Sequence, residues 1–492
     1  MHTRDRFYIG GEWVEPAKSG VLEVVSPFTE EVVGRVPEAS EPDMDRAVAA
    51  ARRALEQGPW PRMAPSERAA LITALSQEIR GRSQEFARLI TLEMGSPVTW
   101  GLVGQALAPT FLFDAFASLA VEFPFEERRR GLTGESLVRR VPVGVAACIT
   151  PWNVPLFIAA FKLGAAMAAG APIVLKPAPE TPLDAYLLAE AAEKVGLPPG
   201  VLNIVPAGRE VGEYLVRHPG VDKVSFTGST AAGRKIGAIC GEQLKRCTLE
   251  LGGKSAAVVL DDVDLETALP HIMSNAIINN GQACLSQTRI LAPRARYDEV
   301  VDAVASAVQG MKVGDPMDPE VAIGPLVARR QKERVDGYIQ LGVQEGARVA
   351  LGAGKPARDR GWFVDPTVFA DVDNRMRIAQ EEIFGPVLCI IPYEGDEEAV
   401  RIANDSEYGL SGSVWTRDAA RGVEIAKGVR TGTYGVNSVA TMDLRNPFGG
   451  FKASGIGREC GPEGIDAFCE VQTIVLPPGY EVILGLRRPQ CG

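Results

Sequence analysis

Histidine is almost missing from this chain: His2, His218 and His271 are the only three among 492 residues. A Ser-His-Asp triad or a His-rich metal centre has too little to draw on, so acid–base chemistry falls to carboxylates, lysine or cysteine, and no metal is expected. The eight cysteines form no C-x-x-C pair and no dense framework. That excludes a disulfide scaffold and a zinc ribbon, and fits small buried thiols in a reducing, cytoplasmic setting. Positive charge is in deficit, 52 Lys and Arg against 62 Asp and Glu, for a net charge of -10. Nucleic acid and anionic membrane would repel such a protein. The short run Arg128-Arg129-Arg130 reads as a solvated turn. Met1–Trp13 lacks the basic-then-apolar layout of a signal peptide. The most apolar stretch, Val154–Leu175, is broken by Lys162 and Pro172, so it reads as core helix plus strand and not as a membrane span.

What is present is a long alternation of β-rich runs and helical patterns, in a chain long enough for two to four domains. Strands are predicted over Val141–Thr150, Pro172–Lys176, Val201–Val205 and Lys223–Thr227. Between them lie helices over Leu156–Ala169, from Thr181 (as N-cap) and Pro182 to about Val195, Glu210–Arg217 and Thr230–Cys240. A second block starts at Ala256–Leu260 and continues with helices over Leu265–Asn279 and Tyr297–Met311. This rhythm predicts two α/β domains with parallel sheets covered by helices. The charged stretch Glu126–Arg140 interrupts the first block, as a loop or as a hairpin reaching towards a partner subunit.

Several residues could carry chemistry. Cys284, in Gly281-Gln282-Ala283-Cys284, ends a predicted helix where a loop could expose a thiol nucleophile. Glu250, between Leu249 and Leu251, is placed for partial burial and general-base work, or for a salt bridge to Lys254. Asn153 follows a strand's carboxyl edge, where its amide could serve an oxyanion or simply close a turn on its own backbone. Lys176 closes another strand. Gly228-Ser229-Thr230-Ala231-Ala232-Gly233 opens a helix and offers backbone amides to a pyrophosphate, although an ordinary strand–turn–helix junction reads the same way.

In order along nearly the whole chain, these segments resemble the aldehyde dehydrogenase superfamily. The likeness runs from Tyr8-Ile9-Gly10-Gly11-Glu12-Trp13 through Thr150–Pro155, Lys176–Pro182, Phe226–Thr230, Glu250–Lys254 and Gly281–Cys284. It continues through Glu381–Val387 to Pro447–Lys452 with Ser454-Gly455. The resemblance implies a nucleophile at Cys284, a general base at Glu250 and an oxyanion amide at Asn153. It implies NAD or NADP bound by Thr150, Pro151, Trp152, Lys176, Gly228, Ser229, Gly233, Leu251, Glu382 and Phe384. Without it, Glu382 would read as one of two solvated glutamates. Val154, Phe157, Phe161, Leu285 and Phe448 match or neighbour a substrate tunnel, which leans towards an apolar aldehyde, though they could equally pack the core. Arg445 reads as a surface arginine, or as a receptor for an acid group. Where many members carry Glu three residues after the lysine, this chain has Pro179, so NADP stays open beside NAD.

The implied reaction is oxidation of an aldehyde to its acid through a thioester on Cys284. The retained Glu250 speaks against the coenzyme A-acylating branch. The rival readings are a cofactor-independent thiol esterase or acyl transferase, and an inactive binding protein on the same fold. The implied fold has an NAD(P)-binding domain (1–123 and 143–252), a catalytic domain (253–465) and an oligomerisation element (124–142 and 466–492). A homodimer or homotetramer is expected.

Overall fold

The computed structural model describes residues 1–492 except 133, 357, 439–442, 478–479 and 481–492. Its first large sheet is built on five parallel strands: Ala146–Ile149, Ile173–Lys176, Leu202–Ile204, Lys223–Thr227 and Arg246–Glu250. The chain lays down the first three in one direction and returns for the other two on the opposite side. Ala146–Ile149 therefore sits between Ile173–Lys176 and Lys223–Thr227. That reversal opens a crevice beyond the strands' carboxyl ends. Gly455–Ile456 closes one edge antiparallel, and Phe7–Ile9 with Glu12–Val14 the other. Four of these strands are buried on both faces, and Arg246–Glu250 becomes so from Thr248 onward.

The second sheet has seven strands. Thr367–Ala370, Val387–Tyr393, Arg289–Pro293, Ala256–Val259, Gly412–Trp415 and Gly435–Val436 run parallel, and Arg348–Leu351 is an antiparallel edge. Two parallel α/β sheets are thus present, as the alternation predicts. The charged stretch forms a hairpin, Glu126–Gly131 with Gly134–Pro142, extended antiparallel by Cys469–Val475. The C-terminal stretch assigned with it lies outside the described residues at 478–479 and 481–492.

Two local expectations are corrected. Arg128–Arg130 lie on a strand and not in a turn, because Arg130 pairs across the hairpin with Glu135 and Arg128 Nη1 stands 3.4 Å from the same carboxylate. Thr181 does not cap the next helix, which runs Leu183–Lys194. Glu93, from the helix Ser83–Met94, accepts the amides of Leu183 at 3.0 Å and Asp184 at 3.4 Å. The Thr181 hydroxyl donates to Trp152 O instead, at 3.4 Å.

The longest apolar helical run is Val98–Glu122, long and apolar enough by composition to cross a membrane. Its most apolar window is 56% buried inside the protein, and the run packs on the helices Pro65–Gly81 and Pro155–Ala169. It is a core helix that the sequence reading did not single out. Its middle, Gly101–Leu107, widens into a π-helix.

Candidate active site

The crevice at the sheet's reversal is a cleft of ≈ 680 Å³. Thr150, Pro151 and Trp152 line one side, after the strand Ala146–Ile149. Gly228 and Ser229 line the other, between the strand Lys223–Thr227 and the helix Thr230–Glu242. Ser229 caps that helix, accepting Ala232 N–H at 3.3 Å, and the remaining first-turn amides have no partner within the helix. Gly233 lies under the cleft, where a Cβ would come within 2.3 Å of the Leu251 side chain, so only glycine lets the helix settle there. Leu251 is thus packing, its side chain buried and its N–H bonded to Ser454 O at 2.9 Å.

Phe226, Val216, Ile236 and Ile239 give the cleft an apolar wall. Lys176 is buried at its floor, donating to Ala207 O at 2.7 Å and Pro177 O at 3.1 Å, and burial brings its ammonium down to about 8. Pro179, Glu180 and Arg330 also line the cleft, Glu180 and Arg330 joined as an ion pair between the two halves of the molecule. Open helix amides beside an apolar wall fit a dinucleotide, with pyrophosphate at the amides and a flat ring on the wall.

Beside the cleft, Gly228 N–H bonds to Glu250 O at 3.0 Å. Glu250 closes the strand Arg246–Glu250 and is 3% exposed, yet neither carboxylate oxygen has a hydrogen-bond partner among the described residues. Burial, then the charge of Glu459, pushes it well above the carboxylate range, with Lys162 and Arg458 opposing. The proposed bridge to Lys254 does not form, since Lys254 Nζ is also without a partner. The backbone at Gly449 comes so close that a Cβ there would lie 2.7 Å from Glu250 Oε1.

Cys284 lies in the loop following the short helical turn Ile278–Gly281. Asn279, Asn280 and Gly281 take φ of 55°, 62° and 73°, three consecutive left-handed residues suited to Asn and Gly. Asn279 Nδ2 donates to Asn153 O at 2.8 Å, and Asn280 Nδ2 to Gly95 O at 2.9 Å. Asn153 Nδ2 donates to Gln282 O at 2.9 Å, so the amide is tied across to the cysteine loop and not to its own turn. Its second N–H is left for another acceptor. The thiol is raised to about 12, first by burial and then by the charges of Glu382 and Glu250. Its backbone bonds to the amides of Leu285 and Cys284 pull the other way.

Glu382 accepts Gly253 N–H at 3.0 Å and is raised by burial, so it is not a solvated glutamate. Phe384 meets Trp152 edge-on at 5.3 Å. Phe157 and Phe161 form another edge contact at 4.9 Å, and Phe161 lies 5.8 Å from Phe448. Val154, Phe157 and Leu285 are half-buried and pack with Cys284 on the core that contains Phe161 and Phe448. Arg445 does not face this group: it pairs at the surface with Glu122 at 2.5 Å and with Ser118.

The sequence reading missed Lys162 and Glu459. Both are buried and paired at 2.7 Å, with Lys162 Nζ also donating to Thr227 Oγ1 at 2.8 Å and Ser225 Oγ at 3.2 Å. A lysine in the middle of the apolar helix Pro155–Ala169 was the available signal. Glu459 sits 297 residues away, beyond any local pattern.

Comparison with known proteins agrees with this geometry. The model of the aldehyde dehydrogenase family matches residues 13–474. A geranial dehydrogenase of Castellaniella defragrans is 50% identical, over 95% of this chain and 98% of that protein. A 3-succinoylsemialdehyde-pyridine dehydrogenase of a Pseudomonas species is 44% identical, over 98% and 100%. The crystal structure of a Mycobacterium tuberculosis aldehyde dehydrogenase complexed with NAD+ superposes with a TM-score of 0.96 at 51% identity, covering 98% of this chain and 100% of that one. A mutant of aldehyde dehydrogenase C from Pseudomonas syringae, complexed with NAD+ and octanal, gives 0.92 at 39% identity, over 96% of each chain. The chain belongs to the aldehyde dehydrogenase family.

Proposed function

We propose that the protein oxidises an apolar aldehyde to its carboxylic acid with NAD, through a covalent adduct on Cys284. The observation that carries this reading is the meeting of three groups from distant parts of the chain. An amide from Asn153 is fastened to the cysteine loop, and the buried carboxylate of Glu250, without a hydrogen-bond partner among the described residues, bears on the thiol's charge. Cys284 adds to the carbonyl carbon, and the free Asn153 N–H with the Cys284 backbone N–H receives the oxyanion. One such preorganised donor is worth ~3 kcal/mol of barrier. NAD, when bound, supplies the hydride acceptor. Glu250, whose proton affinity is raised by burial, then takes a proton from the water that cleaves the acyl–sulfur bond.

The aromatic contacts among Phe157, Phe161 and Phe448, with Val154 and Leu285, support an aliphatic or aromatic substrate. They are consistent with the geranial and octanal named for the relatives. Pro179 offers no carboxylate at the cleft, and Glu180 beside it is already paired with Arg330, so NADP is read as a usable second cofactor.

The test is an aldehyde panel with each cofactor, followed by nicotinamide absorbance. Apolar aldehydes with NAD should turn over fastest. Glu250→Gln should release about one reduced cofactor per site and then stall, by two-step covalent logic. Steady turnover of that variant at the wild-type rate would remove Glu250 from its role.

We also propose a homo-oligomer, dimer or tetramer, joined through the three-stranded sheet. Its outer strand Cys469–Val475 exposes Val471 (59%), Ile474 (37%) and Val475 (67%), apolar surface at an edge that is unpaired among the described residues and favours a partner. Val471→Lys with Ile474→Lys should reduce the mass in light scattering; a protein already monomeric at micromolar concentration would refute it.

A further inference from the structure

Four residues beyond Glu250 stands Lys254, a side chain that the aldehyde chemistry does not use. It is fully buried, and its Nζ has no hydrogen-bond partner among the described residues. The hydroxyls of Ser255 and Ser411, both buried, are equally without one. These three orphans are not scattered. They line a single small cavity of ≈ 10 Å³, together with the buried Arg289. A cavity of that size admits one water-sized or monatomic occupant.

The charge balance around it is one-sided. Arg289 bonds only to neutral acceptors: Lys254 O at 2.9 Å, and Asn374 Oδ1, Ile402 O and Ala403 O at 3.0 Å each. The carboxylates whose charge reaches the cluster are Glu381 and Glu382 at Lys254, and Asp405 at Arg289. All three are engaged elsewhere. Glu382 holds Gly253 N–H at 3.0 Å, Glu381 takes the Tyr338 hydroxyl at 2.6 Å and Arg377 at 2.7 Å, and Asp405 takes Asn374 Nδ2 at 2.9 Å. The other titratable neighbours include the buried Cys389 thiol, Tyr408, which lines the same cavity, and Tyr434, whose hydroxyl donates to Ser413 O at 3.1 Å.

We propose that Lys254 Nζ, Ser255 Oγ and Ser411 Oγ, backed by the Arg289 guanidinium, form a binding site for one small monovalent anion of the halide class. An ammonium can only donate, and both hydroxyls can turn their protons inward, so three side-chain donors are available in a lining otherwise closed partly by Ala256, Ala403, Leu410 and Val429. A monatomic anion accepts from all of them at once and neutralises cations whose nearest carboxylates are engaged elsewhere; a water satisfies some donors and leaves the charge. Sulfate and phosphate are too large. The anion would tie together three stretches of the active-site frame: the segment leaving Glu250, the strand five residues past Cys284, and the segment at Ser411.

Crystals soaked in sodium bromide and measured at the bromine edge test the site directly. An anomalous peak within hydrogen-bond reach of Lys254 Nζ and both serine hydroxyls is expected. In solution, bromide titrated at ionic strength held constant with acetate should raise the melting temperature of the full-length protein saturably, by ligand linkage. Ser411→Ala should raise the half-saturating halide concentration at least tenfold, and Lys254→Met, if it folds, should abolish the halide increment. Absence of a peak in the cavity at molar bromide, or the same halide response in the wild type and in Ser411→Ala, would overturn the proposal.

Discussion

At the scale of single residues, the thiol of Cys284 is held back. Burial and the nearby charges of Glu382 and Glu250 lift it to about 12, against an ordinary 9.0. With the thiol so raised, attack on a carbonyl needs its proton to be carried away first. Alkylation of Cys284 by iodoacetamide, followed by peptide mass spectrometry, should therefore climb about tenfold per pH unit from 8 to 10, below its pKa. A rate that levels near pH 9 would mean an unperturbed thiol. The same shift acts on stability. The folded state holds this proton more tightly than the unfolded chain, so the contribution is intact below about 9 and lost as pH rises towards 12. The identities of Cys284, Glu250 and Asn153 were legible in short motifs. Their setting was not: nothing in the local sequence says that Glu250 lacks a partner among the described residues, or that Asn153 binds a carbonyl 129 residues away.

At the scale of elements, the parallel strands were readable because apolar runs bounded by Gly and Pro mark them. Lys223–Thr227 was placed to the residue, and the helix Pro155–Ala169 to within one. Side chains arriving from other elements were not readable. Glu93 reaches from one helix to cap another, and Thr181 is displaced from that role. Lys162 and Glu459 pin the helix Pro155–Ala169 and the strand Lys223–Thr227 to the loop after Gly455–Ile456. Because both charges are buried, removing one strands the other. Glu459→Ala should lower the unfolding free energy by about 3–5 kcal/mol in urea titration. A loss below ~1 kcal/mol, as for exposed ion pairs, would show that water reaches Lys162.

At the scale of the molecule, the first sheet delivers Glu250 and the cleft, and the second delivers the frame around Cys284, so neither half could hold the site alone. A bridge between them at the cleft is the Glu180–Arg330 pair, with Arg330 58% exposed and Glu180 16%. Because that latch is made of charge and faces solvent, ions in the medium loosen it. Escape of the reduced nucleotide would then be a salt-gated event. Its off-rate, read by stopped-flow fluorescence, should quicken as ionic strength rises in the wild type, and be fast and nearly salt-independent in Arg330→Ala. Turnover limited by nucleotide departure would inherit the same dependence, and the cell's ionic composition would set the pace of the enzyme.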